Sequence, residues 1–231
     1  MPMALDDIVL NQNTPWHEIP SMLIPAYAET WTMVIIVMTL VISIGGMIGI
    51  TLFNLSDRGL FPHQKKYAAL SLLVNIGRSL PFLVLMAAII PFTKWVTGTT
   101  IGIAAAVVPM TIAGIPFFAR LVENALNELP TEMIAVGRVS GGSHVQIIHQ
   151  VQIKEALPSL VSAMTLNLIA MIEYSAIAGT IGAGGIGYLA VLYGYQRFDH
   201  HIMIATIITL ILTIQLVQFI GNRLSMHLQK S

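Results

Sequence analysis

The sequence predicts an all-α polytopic membrane protein with five transmembrane helices and one long cytoplasmic loop of short helical pieces. Composition is the first observation behind this: of 231 residues, 55% are hydrophobic and 10% charged, against roughly 45–50% and about 25% in soluble proteins. So little charge cannot cover an aqueous surface. The second is the length of the uncharged stretches, since a bilayer crossing takes about 20 apolar residues. The third is their pattern: runs such as TMVIIVMTLVISIGGMIGITLF are apolar all round, without the stripe of a surface helix or the alternation of a barrel strand.

The elements follow in order. Residues 1–25 form an expected extracytoplasmic tail, with Pro15, Pro20 and Trp16 marking an irregular or interfacial segment. Residues 1–29 hold four acids, Asp6, Asp7, Glu18 and Glu29, and no Lys or Arg, so they lack the cationic start of a signal peptide and the first span is expected to be retained. Spans are expected near 30–53, 67–92, 99–120, 157–182 and 201–223, because 30–56, 95–119 and 202–222 carry no formal charge, 67–93 only Arg78, and 157–182 only Glu173. With the amino end outside, Arg58, Lys65, Lys66, Arg120, Arg138, Lys154, Arg223 and Lys230 fall inside, against Lys94 and Arg197 outside. Eight against two fits the positive-inside rule. The amino end is therefore expected out and the carboxyl end in.

Several function classes are excluded on the same residues. Eleven basic residues balance eleven acidic ones, so the broad basic field of a nucleic-acid binder is absent. The absence of cysteine removes disulfide scaffolds, thiolate zinc sites and cysteine nucleophiles. Asp199, His200 and His201 cluster at the expected outer mouth, but with no further ligand beside them no metal site is expected. There is no G-x-x-x-x-G-K-[ST], so any ATP is bound by a partner. The string Gly182-Ala183-Gly184-Gly185-Ile186-Gly187 fits G-x-G-x-x-G, but at the end of a membrane span it lacks the strand and helix of a dinucleotide site. Gly182, Gly184, Gly185 and Gly187 are read instead as a helix break, serving either packing or a gate. Gly45, Gly46 and Gly49 give small residues at the spacing that brings helix backbones together.

Arg78 and Glu173 are the formal charges inside the expected spans, and a charge there costs roughly 3 kcal/mol or more unless it faces a cavity or a partner. With the adjacent Ser79, Tyr174 and Ser175 they are candidates for a translocation path. The alternatives are mutual pairing and satisfaction by backbone or water.

The 120–156 loop carries the strongest pattern. ALNELPTEMIAVGRVS makes one amphipathic piece ending at Gly141-Gly142, and Ser143 with Gln146 three residues on has the form of a capping box that opens a second. A semi-apolar helical knob facing water reads as a docking element. Ala135-Val136-Gly137-Arg138-Val139-Ser140-Gly141-Gly142-Ser143, followed by Val151-Gln152-Ile153-Lys154-Glu155-Ala156-Leu157-Pro158, resembles the EAA loop of bacterial ABC importer permeases. Gly141 matches the loop's central glycine and Ala156-Leu157-Pro158 its end, whereas Ala135 stands where the family has glutamate and Lys154 where it has proline. GRSLPF, IIPFTKWVTGTTIG, FFARLVENALNELP and IGAGGIGYLAVLYGY resemble segments of the methionine-type branch, so that the resemblance spans roughly residues 26–230.

This resemblance implies the type I importer transmembrane domain over 26–230, with 120–156 as the ATPase-coupling loop. It implies a permease subunit in the cytoplasmic (inner) membrane that moves an amino acid, methionine being the expected solute, by alternating access. The implied partners are a second copy of the chain, two cytoplasmic ATPase subunits that bind ATP and Mg, and an extracytoplasmic substrate-binding lipoprotein. Two other classes compete: a polytopic membrane enzyme, which lacks a histidine base within the spans, and a passive channel, which has no need of a docking knob.

Overall fold

In the computed structural model residues 13–229 are described, so the start of the expected tail, with Asp6 and Asp7, and Lys230 lie outside the described residues. Every regular element among the described residues is helical. α1 (Ile19–Leu55) begins within the expected tail and runs 37 residues, about 55 Å at the α-helical rise. α5 (Ile103–Asn127), α8 (Leu157–Gly179) and α10 (His200–Leu228) are likewise long and apolar enough to cross a membrane.

The second expected span is not one continuous helix. α2 (Gln64–Ser79) stops where Leu80 turns extended, at φ −85° and ψ 126°, because the ring of Pro81 disfavours helical backbone at the residue before it. The chain resumes as α3 (Phe82–Ala88) and α4 (Ile90–Thr97). Four single helices thus qualify as spans among the described residues, and a fifth if α2 and α3 are taken as one broken span. Between α5 and α8 lie α6 (Thr131–Val139) and α7 (His144–Ile147), the latter widening into a π-helical stretch at Ile148–Ile153. α9 (Gly185–Tyr188) similarly continues as a π-helical stretch through Leu189–Gln196.

Two compact units divide the chain, with boundaries inside α1, α5, α8 and α10. The first holds the described residues up to Val37, Phe82–Met110 and Ala170–Leu216. In it Ile19 and Ala26 of α1 bury against Leu189 and against Ile202 of α10. The second holds Met38–Pro81, Thr111–Ile169 and the described residues from Val217. Leu52, Val74 and Ala119 form its cluster of α1, α2 and α5. The small residues of α1 find their neighbour here: a Cβ on Gly45 would lie 2.9 Å from the Ile115 carbonyl oxygen of α5, and Gly49 backs onto Ala119 and Val122 in the same way. Close approach of two backbones is what this spacing permits.

α5 outruns its charge-free stretch, so Arg120 and Glu123 lie inside a helix, as does Glu29 in α1. Arg78 and Glu173 are therefore not the only charges on the long helices. Arg120 pairs with the buried Glu123 and also donates to the Ser71 hydroxyl and to Asn75 Oδ1, each at 2.9 Å, while the Tyr67 hydroxyl donates to Glu123 at 2.9 Å. A charge withdrawn from water is tolerated when paired and hydrogen-bonded in this way.

Candidate functional site

The loop between α5 and α8 is a built knob. α6 ends at Ser140, whose N–H donates to Val136 O at 2.9 Å, and the Gly141 and Gly142 N–H groups turn back to Arg138 O and Gly137 O at 3.1 and 3.2 Å. Gly141 sits at φ +74°, the left-handed conformation that glycine takes at no steric cost. α7 then starts on a complete capping box: the Ser143 hydroxyl accepts from the Gln146 N–H at 3.3 Å, and the Ser143 N–H donates to Gln146 Oε1 at 2.9 Å. Ile147 packs on Gly137 and Gly142, where a Cβ would lie 3.3 Å from its Cγ1. The two short helices thereby close on each other around Ile134 and Ile147, both buried.

Three polar anchors hold this knob within the second unit, and the sequence reading assigned none of them. Asn54 and Gln152 exchange amide hydrogen bonds at 2.9 and 2.8 Å, and Gln152 is 0% exposed. Arg138 donates to the carbonyls of Gly59 and Leu60, both at 2.8 Å. Arg58 donates to Asn127 O at 2.6 Å and Leu129 O at 2.8 Å, closing the carboxyl end of α5. Each signal was visible in part. Arg58 counted only toward orientation, Arg138 toward orientation and as a residue of the expected coupling loop, and Gln152 read as one polar position of an amphipathic stretch.

Among polar neighbours the knob also leaves apolar side chains in solvent. Val139 is 90% exposed, and Val136 and Val145 are also exposed. Beside them lies a groove of about 710 Å³ whose lining includes Met133, Val136, Gln146 and Val151 and the acids Glu132 and Glu155. Ala135 lies exposed on α6. At the far end Ala156 is buried and its N–H donates to Gln152 O at 3.1 Å, Leu157 opens α8, and Pro158 O accepts from the hydroxyls of Ser162 and Ser225.

The other candidates fall elsewhere. Arg78 and Ser79 end α2 in the second unit, exposed, with the Ser79 hydroxyl on Asn75 O. Glu173, Tyr174 and Ser175 lie on α8 in the first unit. Glu173 is exposed, Tyr174 stacks on Phe82 with ring centroids 4.3 Å apart, and the buried Ser175 hydroxyl is bound to Ile172 O of its own helix. Ion pairs among the described residues are Arg120–Glu123 and His17–Glu18.

The glycine run does break the helix. α8 stops at Gly179, Gly182 and Gly184 both stand at φ +86° and Gly185 at +78°, and α9 starts at Gly185. A Cβ on Gly187 would overlap the Ala176 carbonyl, so α9 returns along the end of α8 at backbone contact. α1 supplies the bonds at this break: Glu29 Oε2 accepts from the Gly185 N–H at 2.7 Å and Thr30 Oγ1 from the Ile186 N–H at 3.0 Å. Glu29 had been counted as an acid just ahead of the first span.

Asp199 caps α10 through the Ile202 N–H and takes two bonds from Thr14, at 2.8 and 2.6 Å. The neighbouring His201 stacks on Trp16 at 4.5 Å, and its Nδ1 lies 2.9 Å from Thr14 O. Burial pushes the Asp199 carboxyl up, but the bonds from Thr14, Ile202 and His201 outweigh it and hold the group below the usual carboxylate range. The cluster thus straps residues 13–18 onto α10.

Known proteins resemble this chain in sequence and in fold. The chain is 43% identical over 93% of its length, and 96% of the relative's, to the probable D-methionine transport system permease protein MetI of Vibrio cholerae. To the D-methionine permease MetI of Escherichia coli K12 it is 44% identical over 59% of this chain and 63% of that one. A solved structure described as inward-facing conformations of the MetNI methionine ABC transporter matches with TM-score 0.88 and 38% identity, covering 90% of this chain and 96% of that one. The sequence pattern of the binding-protein-dependent transport system inner membrane components matches residues 45–230, and the chain belongs to that family, as a multi-pass protein of the inner membrane.

Proposed function

We propose that this chain is the permease subunit of an ATP-driven importer that carries methionine across the inner membrane by alternating access. The observation that supports the coupling part most directly is the knob: an apolar tip, Val139, held 90% exposed on a loop anchored by Arg138, Gln152 and Arg58. A rigid lever with a greasy end is what a moving ATPase needs to push. ATP and Mg belong on that partner, since the chain carries no phosphate-binding motif. As a transport component it is not an enzyme. The solute assignment leans on the relatives, whose printed function is D-methionine transport.

In this reading two copies of the chain stand on two ATPase subunits, with the amino end out, the carboxyl end in, and a substrate-binding lipoprotein outside. Closure of the ATPases drives the paired knobs together, and the attached helices switch the open side of the path. Residues 26–230 make the transmembrane domain, and 135–143 with 156–158 form the coupling contact. Arg78, Ser79, Glu173, Tyr174 and Ser175 border the path; of these, Ser175 contributes through its helix, because its hydroxyl is already bound. The break at Gly182–Gly187 serves as a gate element.

Reconstitution tests this reading. The chain, co-expressed with its ATPase and placed in proteoliposomes with the binding protein, is expected to take up labelled methionine with ATP and to raise hydrolysis on adding the loaded binding protein. A chain that purifies without an ATPase, or uptake indifferent to ATP, overturns it.

A further inference from the structure

We propose that Glu29 is a positioning residue for transport: its carboxylate, together with the Thr30 hydroxyl, latches the Gly182–Gly187 break in the conformation described, and this latch opens during the cycle. The inference rests on the importer reading above and deepens the gate role given to the glycines.

The latch is made of two bonds from consecutive residues of α1 to consecutive N–H groups of the restarting helix, Glu29 Oε2 to Gly185 and Thr30 Oγ1 to Ile186. Free N–H groups at a helix start need acceptors, and a charged acceptor makes a bond roughly twice as strong as a neutral one. Positive φ already favours glycine at the break, and a side chain there would displace the two acceptors. A Cβ on Gly184 would lie 2.5 Å from Glu29 Oε2, and one on Gly185 2.7 Å from Thr30 Oγ1. A third bond, from the Gly102 N–H to Gly182 O at 2.9 Å, ties the same turn to the start of α5.

The latch is built asymmetrically. Thr30 is buried, whereas Glu29 is exposed, and its Oε1 has no hydrogen-bond partner among the described residues. An acid placed on a long apolar helix is costly unless it meets water or a partner. A purely structural cap could be neutral, as Thr30 is. Glu29 instead joins a releasable, exposed acceptor to the segment of α8–α9 where three glycines stand at positive φ, so the bond can break there without stranding a buried charge.

Hydrogen exchange of the peptide 181–188 in the assembled transporter tests the proposal, comparing nucleotide-free and ATP-bound states. Wild-type exchange is expected to rise on ATP binding by roughly tenfold, the factor that loss of one charged hydrogen bond supports. Glu29→Ala should exchange fast in both states and raise hydrolysis without binding protein, and Glu29→Gln, which keeps an acceptor, should fall between. Thr30→Val, close to isosteric, provides a second variant should Glu29→Ala fail to insert, and is expected to speed exchange at Ile186. Equal exchange in the two wild-type states, or normal coupling in whichever of these variants inserts, overturns the latch. If the wild-type complex neither hydrolyses ATP in response to binding protein nor takes up solute, the importer reading has failed instead.

Discussion

Single residues decide how firmly the knob is held. Gln152 and Asn54 satisfy each other in a site closed to water, and an amide left without its partner there costs about 1–3 kcal/mol. Gln152→Leu is therefore expected to lower the thermal midpoint of the purified protein. Adding Asn54→Leu should recover part of the loss, which a double-mutant melting series reads directly. Asp199 acts at the strap. Its carboxyl is lowered when folded, so its stabilisation is complete above the unfolded value of about 3.9 and is lost as pH falls through the lower folded value. In a chain with Trp31 and Trp95 replaced by phenylalanine, the accessibility of Trp16 to acrylamide should rise, reporting release of the strap, as pH falls below about 4. Asp199→Asn should abolish that acid step.

Elements shape the knob. α6 and α7 are too short to be stable alone, and what shapes them is a glycine turn, a capping box and the shared contact of Ile147 with Gly137 and Gly142. Val139 at the end of α6 is 90% exposed, so its side chain contributes little to the fold. Val139→Asp is thus expected to leave the melting midpoint within about 0.5 kcal/mol of wild type, while ATPase co-purification falls and uptake with it. Equal loss of stability and of docking would place Val139 in the fold instead. At α2 the same local logic works in reverse: Pro81 ends a helix that apolar composition alone would continue.

At the scale of the whole molecule, scarce charge is sorted. Arg120 and Glu123 neutralise each other inside the second unit, Arg58 and Arg138 are spent on loop carbonyls, and Glu29 on the break. Arg78 and Glu173 stay exposed on one chain, outside the ion pairs among the described residues. Exposed charge on a membrane helix calls for water or a second subunit. Arg78→Met and Glu173→Gln, tested separately at normal expression, are expected to lower uptake severalfold while the complex still assembles. Undiminished uptake in both would remove them from the path.

The sequence by itself determined the membrane class, the long apolar helices and the existence of a helical loop with its glycine bend and serine cap. These follow from composition, length and local backbone chemistry, which neighbours in the chain set among themselves. Only the tertiary structure decided that Gly45 and Gly49 face α5, that Gln152 answers Asn54 across 98 positions, and that Glu29 belongs to the helix break 156 positions away. A hydrogen-bonded polar side chain looks the same in sequence whether its partner is water or a distant backbone N–H. Burial and distance make the difference, and they exist only once the helices are packed.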